Sequence, residues 1–379
     1  MTASILNELQ QAAEQNLVDI EHAKDQGRGA IGFYCLYSPT EMAVAANAIP
    51  LPLCGTRNDP VAVAEETLPR NLCPLIKSSY GFGVAGTCPY FQFSDVIIGD
   101  TTCDGKKKMF ELLGRHKPTH VLQLPQGCES ESSLPLWRGE LDRFKEIVET
   151  HTEVQITDQR LRDAISLMNR ERQARKNLMD VNRVKPAPLR GSTLIEVLFK
   201  VGFLADKEKG IALMEKVTAM AKDGVFRDDP ESASTRKRIL LTGVPVGVGS
   251  DKVIKIVEQC GGDVVAFENC SGYKQAFQVD EDLSPMEALA KQYLATPCSV
   301  MSPNDGRFDL LAEMMEGFSV DGVIDLTWQA CHTYNIEAHL VNEMVTETKG
   351  IPTLHLETDY AESDTEQLRV RIEAYLEML

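Results

Sequence analysis

The chain has 379 residues, 43% of them hydrophobic and 25% charged, which is an ordinary balance for a soluble protein of two or three domains. Its net charge of −17 argues against nucleic acid as a partner, because phosphate backbones select clustered Lys and Arg. Apolar runs such as Gly322–Leu326 are far shorter than the roughly 20 residues of a membrane span, which argues against a membrane protein.

The N-terminal segment, residues 1–30, has apolar residues at helical spacing and predicts one acidic amphipathic helix. It lacks the basic segment and apolar run of a signal peptide, so we expect a cytoplasmic protein. A strand is predicted over Ala30–Cys35. Ser38 as N-cap, Pro39 at the first helical position and Glu41 as the far end of a capping box then predict a helix start.

Short strands and helices alternate in the first third of the chain. After a predicted strand over Ile49–Cys54, residues 55–94 are rich in Pro, Gly and Tyr and predict mainly loop. The pattern continues with a strand over Val96–Gly99, a helix over Gly105–Arg115 and a strand over His120–Leu124. Such alternation predicts a doubly wound parallel sheet.

The middle of the chain is helical and strongly charged. Residues 134–182 predict helix, Pro186 and Pro188 interrupt it, and Ser192–Lys222 resumes it. The stretch Asp223–Lys237 predicts a polar linker. A second α/β unit follows, and its predicted strands are Ile239–Gly243, Val264–Glu268, Gly322–Leu326 and Thr353–Glu357.

These elements predict a fold of two doubly wound, parallel-sheet α/β domains with an additional helical segment. The predicted limits are an N-terminal helix over 1–30, a first α/β domain with cysteine-rich loops over 31–133, a helical segment and linker over 134–235, and a second α/β domain over 236–379.

The ten cysteines are an unusual number for a cytosolic chain, where thiols stay reduced and an excess points to metal binding or catalysis, although some cysteines serve as small buried hydrophobes. Ligands of open α/β sheets bind beyond the carboxyl ends of the strands. Thiolates and anionic iron–sulfur clusters are favoured there by helix N-termini. Five cysteines directly follow predicted strands: Cys35, Cys54, Cys103, Cys270 and Cys331.

Three further cysteines, Cys73, Cys88 and Cys298, lie in predicted loops that this arrangement would bring close. The wide spacing of Cys73, Cys88 and Cys103 fits neither a zinc ribbon nor a ferredoxin, both of which need close pairs. A site would therefore be assembled across a cleft between domains. Cys260 precedes two glycines and is interpreted as core, and Cys128 in an acidic loop as incidental.

Several stretches of the chain form long, specific motifs. They are Cys35-x3-Pro39-x-Glu41, AVAANAIPLPLCG, NLCPLIKSSYGFG, TCPYFQFSDVIIGDTTCDGKKK, QACHTY and GIPTLHLETDY. These motifs resemble the 2-hydroxyacyl-CoA dehydratase and benzoyl-CoA reductase superfamily. Three blocks, NLCPLIKSSYGFG, CPYF and TTCDGKKK, are most similar to its double-cubane cluster proteins. The resemblance covers nearly the whole chain. It implies two flavodoxin-like domains with iron–sulfur clusters in the cleft between them, and for double-cubane proteins an [8Fe–9S] unit in a homodimer.

Ligand arithmetic agrees with this implication, because two cubanes joined by one sulfide leave six positions for cysteine. By resemblance, Cys73, Cys103 and Cys331 match the three-cysteine cubane of the dehydratases. The second cubane is assigned to Cys88, Cys270 and Cys298, with Cys35 and Cys54 in reserve. His332 adjoins Cys331 and is a candidate proton donor, since imidazole titrates near neutrality, or it merely caps the following helix.

Two other features point toward a cluster site without requiring one. Lys106, Lys107 and Lys108 open a predicted helix, where the dipole disfavours positive charge, so they either offset cluster charge, dock an acidic partner or form a solvated face. The segment Ser78–Tyr80 offers hydroxyls that can bond to cluster sulfurs or simply pack a loop.

The glycine-rich turn Gly243–Lys252 lacks the spacing of a P-loop or of a dinucleotide fingerprint and is interpreted as structural. The resemblance therefore implies a separate ATP-hydrolysing [4Fe–4S] activator that delivers electrons. The favoured function is ATP-dependent, low-potential reduction of a small molecule, and the resemblance implies substrates such as acetylene. The alternatives are a 2-hydroxyacyl-CoA dehydratase subunit with one [4Fe–4S] cluster, a non-catalytic electron carrier, and a zinc-bound structural protein.

Overall fold

The computed structural model describes residues 2–226 and 235–379, and it contains two parallel sheets of four strands each. The orders β2-β1-β3-β4 and β6-β5-β7-β8 are those of doubly wound, flavodoxin-like sheets, which confirms the predicted fold class. Every neighbouring pair runs parallel. The strands are β1 Ala30–Phe33, β2 Ile49–Pro52, β3 Val96–Asp100, β4 Thr119–Leu122, β5 Lys237–Gly243, β6 Gly262–Phe267, β7 Gly322–Trp328 and β8 Thr353–Thr358.

Helices connect the strands and fill the middle of the chain. In the described ranges, no helix combines the length and apolar character that a membrane crossing requires. Residues 227–234 of the predicted linker lie outside the described part of the chain. The helices are α1 Thr2–Asp25, α2 Glu41–Ala45, α3 Val61–Ala64, α4 Pro74–Ala85, α5 Pro89–Phe93, α6 Asp104–Leu113, α7 Ser133–Thr152, α8 Asp158–Asp180, α9 Gly191–Gly202, α10 Lys207–Lys222, α11 Lys252–Gln259, α12 Pro285–Leu294, α13 Asp305–Gly317, α14 His332–Asn342 and α15 Thr365–Met378.

The prediction of loop over residues 55–94 is wrong, because three helices, α3, α4 and α5, occupy much of this stretch. Two of them begin at a proline that directly follows a cysteine, Pro74 after Cys73 and Pro89 after Cys88. Proline suits the first helical position, since its fixed φ is helical and no N–H partner is needed there. The prolines are therefore helix starts, and each places a cysteine at a helix N-terminus.

The predicted capping box around Ser38 is also wrong. The Ser38 hydroxyl donates instead to Asp100 Oδ1 at 2.8 Å, and the helix begins later, at Glu41. The Glu41 carboxylate is fully buried; it pairs with Arg172 at 2.6 Å and accepts a hydrogen bond from Tyr293 at 2.7 Å. A buried charge needs such partners, so tertiary pairing outweighs the local cap.

The second sheet encloses a buried ionic network around Arg307. Its guanidinium bonds to Glu337, donates to Thr242 Oγ1 at 2.8 Å and lies 3.4 Å from Glu268 Oε1 and 3.7 Å from Asp325 Oδ1. The Arg307 side chain is completely buried. This cation therefore compensates several carboxylates that water cannot reach.

Replacing Arg307 with methionine should destabilise the fold by about 3–5 kcal/mol, because the buried carboxylates would lose their cation. The urea midpoint measures the loss. Arg138→Met is the control, since Arg138 forms a solvent-exposed pair with Asp142 at 3.1 Å and its loss should cost about 1 kcal/mol at most. Equal shifts in the two variants would contradict the importance of the network.

Candidate functional site

A cavity of about 900 Å³ lies where the carboxyl ends of strands from both sheets meet helices α8 and α9. Parallel α/β sheets bind ligands at this edge, and the volume is in the range of small-molecule sites. Backbone that follows β1, β2, β3, β6 and β7 supplies much of the wall. The cavity is therefore the candidate functional site.

Seven of the ten cysteines line this cavity. They include five of the six predicted cluster ligands and both reserve cysteines, whereas Cys88 is absent from the lining. Cys128 is exposed, and Cys260 is half-buried at the end of α11. The lining cysteines are Cys35, Cys54, Cys73, Cys103, Cys270, Cys298 and Cys331.

Cys73, Cys103 and Cys331 form one interacting group at the N-termini of α4, α6 and α14. A hydrogen bond between the Cys73 and Cys331 side chains lowers the pKa of Cys73 and raises that of Cys331. The Cys103 sulfur accepts a bond from the backbone N–H of Lys106 at 3.5 Å, and its charge acts on Cys73. Helix N-termini therefore point three thiols at one region.

Cys35, Cys270 and Cys298 form a second interacting group. Burial raises the pKa of Cys35 to about 12, and charges on Cys270 and Cys298 add to this rise against the opposing effect of Lys106. Burial also raises the pKa of Cys270 to about 11. Thiols with such raised pKa values keep their protons at neutral pH unless a metal binds the sulfur and displaces the proton to solvent.

Cys88 lies beside Cys54 instead of the second group. Its charge acts on Cys54 and on Tyr34, and burial raises its own pKa. The Cys54 sulfur lies 3.8 Å from the Thr56 hydroxyl. The structure thus places Cys35, and not Cys88, among the thiols that accompany Cys270 and Cys298.

A buried lysine lies between the two cysteine groups. Lys106 is 7% exposed and its ammonium donates to the backbone oxygen of Tyr34 at 3.0 Å. Burial lowers its pKa, but charges on Cys35, Asp100, Cys103 and Cys270 raise it overall. Of the alternatives for the lysine run, charge compensation at the site fits Lys106.

The two following lysines are different. Lys107 and Lys108 are exposed and form surface pairs with Asp104, at 2.9 Å, and with Glu111. Of the alternatives for the lysine run, a solvated helix face therefore fits Lys107 and Lys108.

A second buried lysine, Lys274, lies under Cys270. It pairs with Glu268 at 2.8 Å and donates to the Tyr334 hydroxyl at 3.2 Å, and its charge lowers the pKa of Cys270. Sequence reasoning missed this lysine, whose one available signal was its position four residues after a cysteine. The site therefore holds two buried cations near its thiols.

The residues of the segment Ser78–Tyr80 and His332 have different surroundings. Ser79 lines the cavity, and its buried Oγ has no hydrogen-bond partner among the described residues, so this hydroxyl is free to donate to a bound group. Ser78 bonds to the Arg57 carbonyl at 2.6 Å, and Tyr80 packs against another ring. His332 is exposed at the cavity wall as the first residue of α14.

In the described part of the chain, no three Cys, His, Asp or Glu side chains are already arranged around a single metal ion. A cluster differs from an ion because its own iron and sulfide atoms stand between the thiolates. The donor set fits such a group: thiolates are the preferred ligands of iron–sulfur clusters, two sets of three face one cavity, and Ser79 offers a free hydroxyl.

Comparison with known proteins identifies the family of the chain. The family described as 2-hydroxyglutaryl-CoA dehydratase, D-component, matches residues 35–379. A protein of Escherichia coli (strain K12), provisionally named as the dehydratase subunit YjiM, is 42% identical over 99% of this chain and 98% of its own length.

More distant relatives have defined activities in their names. The beta subunit of (R)-phenyllactyl-CoA dehydratase from Clostridium sporogenes is 25% identical over 95% of this chain and 94% of its own. A subunit of benzoyl-CoA reductase from Thauera aromatica is 20% identical over 92% of this chain and 90% of its own. The relatives thus include both a dehydratase and a reductase.

Proposed function

The chain belongs to the family of the 2-hydroxyglutaryl-CoA dehydratase D-component, and we propose that it is an iron–sulfur reductase with a double-cubane [8Fe–9S] cluster. The observation that carries this proposal is the convergence of seven cysteines on one cavity. A single three-cysteine cubane would leave four of these thiols without a role.

For the ligands we propose two sets of three. Cys73, Cys103 and Cys331 hold one cubane, in agreement with the resemblance. Cys270 and Cys298 hold the second together with Cys35, which replaces Cys88 because charges on Cys270 and Cys298 act on Cys35 and the charge of Cys298 also acts on Cys270. Cys88 stays a sequence-based prediction that the geometry does not favour.

When bound, the cluster would supply single electrons at low potential to a small unsaturated or nitrogenous molecule in the cavity. The chain's own residues do the rest. Lys106 and Lys274 offset anionic charge, the Ser79 hydroxyl donates toward sulfur, and the buried walls exclude water. His332, at the exposed wall, supplies protons from its imidazole nitrogen.

We further propose that an ATP-hydrolysing [4Fe–4S] activator provides the electrons and that the chain acts as a cytoplasmic homodimer. Support for the activator comes from the turn after β5, where Gly243–Lys252 lacks P-loop spacing. The subunit names of the relatives also indicate work with further components.

A dehydratase subunit with one [4Fe–4S] cluster is the second candidate. The names of several relatives favour it, as does a cavity that is large for a molecule as small as acetylene. The two candidates differ in the number of iron atoms that each chain must hold.

Iron and acid-labile sulfide, measured after strictly anaerobic purification, test the proposal. We expect about eight iron atoms per chain with slightly more sulfide, and ATP-dependent acetylene reduction once an activator is added. About four iron atoms would support the dehydratase candidate instead. Zinc in place of iron would exclude both, and a full cluster with no turnover on any substrate would leave an electron carrier.

A further inference from the structure

Arg175, on the face of α8 that lines the cavity, is a buried cation without a partner. It is 4% exposed, and its guanidinium makes no hydrogen bond or ion pair with any residue in the described part of the chain. An unpaired buried charge is costly, and native proteins normally pair such groups. A cavity that keeps one needs a compensating anion.

The other charges at this end of the cavity already have partners. Arg172 pairs with Glu41 at 2.6 Å, and Glu171 lies 3.4 Å from Lys207. The charges that act on Arg175 are those of Glu171 and Arg172, which oppose each other. One positive charge is therefore left over at Arg175.

The cysteine sulfurs do not account for this cation. Charges on Cys35, Cys103 and Cys270 act on Lys106, whereas no thiol acts on Arg175. The compensation of cluster charge thus belongs to Lys106, and Arg175 faces a different part of the same cavity.

The surroundings of Arg175 indicate the chemistry of its ligand. Ile195, Leu198 and Phe199 line the cavity from α9, and Gly202 of the same helix lies near the guanidinium, since a Cβ added to this glycine would be 3.9 Å from Arg175 Nη2. The planar guanidinium carries a single positive charge and can donate two parallel hydrogen bonds to one carboxylate. A phosphate dianion carries more charge and would require further cations. The aliphatic and aromatic wall suits a hydrocarbon chain.

We propose that Arg175 is the anion-binding residue of the cavity and that the small unsaturated substrate of the proposed function is an organic carboxylate, whose apolar part extends toward the cysteines. The proposal rests on the proposed function only in calling this ligand the substrate, because binding is measurable without turnover. Under this proposal, residues on α8 and α9, and not the cysteines, determine which substrate binds.

Calorimetric titration of the full, anaerobically purified chain with sodium butyrate tests the proposal. Butyrate should bind the unmodified protein, and Arg175→Met should weaken it by about tenfold or more, because a charge-assisted hydrogen bond is lost. The affinity of Arg175→Lys for butyrate should be intermediate, since lysine keeps the positive charge but cannot form the two parallel hydrogen bonds of a guanidinium. Arg138→Met, on an exposed surface pair, should bind as the unmodified protein does.

Two further probes identify the ligand class. Butanol has the same chain without the charge and should bind much more weakly than butyrate. Inorganic phosphate should also bind weakly. Absence of butyrate binding, unchanged binding in Arg175→Met, or tighter binding of phosphate than of butyrate would each overturn the proposal. Iron content, measured on the same samples, decides the cluster separately, so either conclusion can fail alone.

Discussion

Replacing Cys35 with serine should halve the iron content, from about eight to about four atoms per chain. The Cys35 thiol lies in the group with Cys270 and Cys298 and lines the cavity. An alcohol is far less acidic than a thiol and a poorer ligand of iron, so the second cubane would lose one of its three anchors. Iron and labile sulfide per chain measure the result.

Cys88→Ser is the matched control, because Cys88 is also half-buried and also belongs to the cysteine-rich first half of the chain. This variant should keep about eight iron atoms. The opposite pattern, with iron lost from Cys88→Ser and retained in Cys35→Ser, would restore the ligand set that the motif blocks favour. Equal loss of iron from both variants would contradict the assignment of Cys35 in place of Cys88 as a cluster ligand.

The fold could be predicted because its signals are local. Buried parallel strands occur as short apolar runs, and all eight strands lie where such runs predict them. The same kind of local signal was available at Pro74 and Pro89. The abundance of Gly, Pro and Tyr concealed these helix starts.

Pairing across the chain could not be predicted in the same way. Cys35 and Cys270 lie 235 positions apart, and their proximity depends on how the two sheets face each other. Motif position favoured Cys88 over Cys35, since neither residue type nor spacing distinguishes them. Glu41 likewise matched a local capping pattern, although its buried partner Arg172 lies more than a hundred residues away.

Arg175 shows the limit of periodicity most clearly. α8 is rich in Arg and Asp, and its sequence predicts a solvated helix with one apolar face. In the structure, Arg172 and Arg175 lie on the buried side, next to Leu178. Only the tertiary structure shows that Arg172 has a partner and that Arg175 has none among the described residues.

Replacing Lys106 with methionine should lower the reduction potential of the bound cluster by on the order of 100 mV. Methionine retains the length and packing of the side chain but removes a buried positive charge that acts on Cys35, Cys103 and Cys270. Reduction adds negative charge, so loss of a nearby cation destabilises the reduced state and makes the potential more negative. A redox titration monitored by EPR measures the shift on samples of matched iron content.

Lys107→Met provides the control one residue along the same helix. Lys107 is exposed and pairs with Asp104 at 2.9 Å, so solvent and salt screen its charge and the potential should stay within a few tens of millivolts of the original. Similar shifts in the two variants would mean that net charge alone sets the potential. An unchanged potential in Lys106→Met, with full iron, would contradict the role of this buried lysine. A shift in potential that occurs only in Lys106→Met would show that the positive charge of Lys106, between the two cysteine groups, compensates the charge of the cluster.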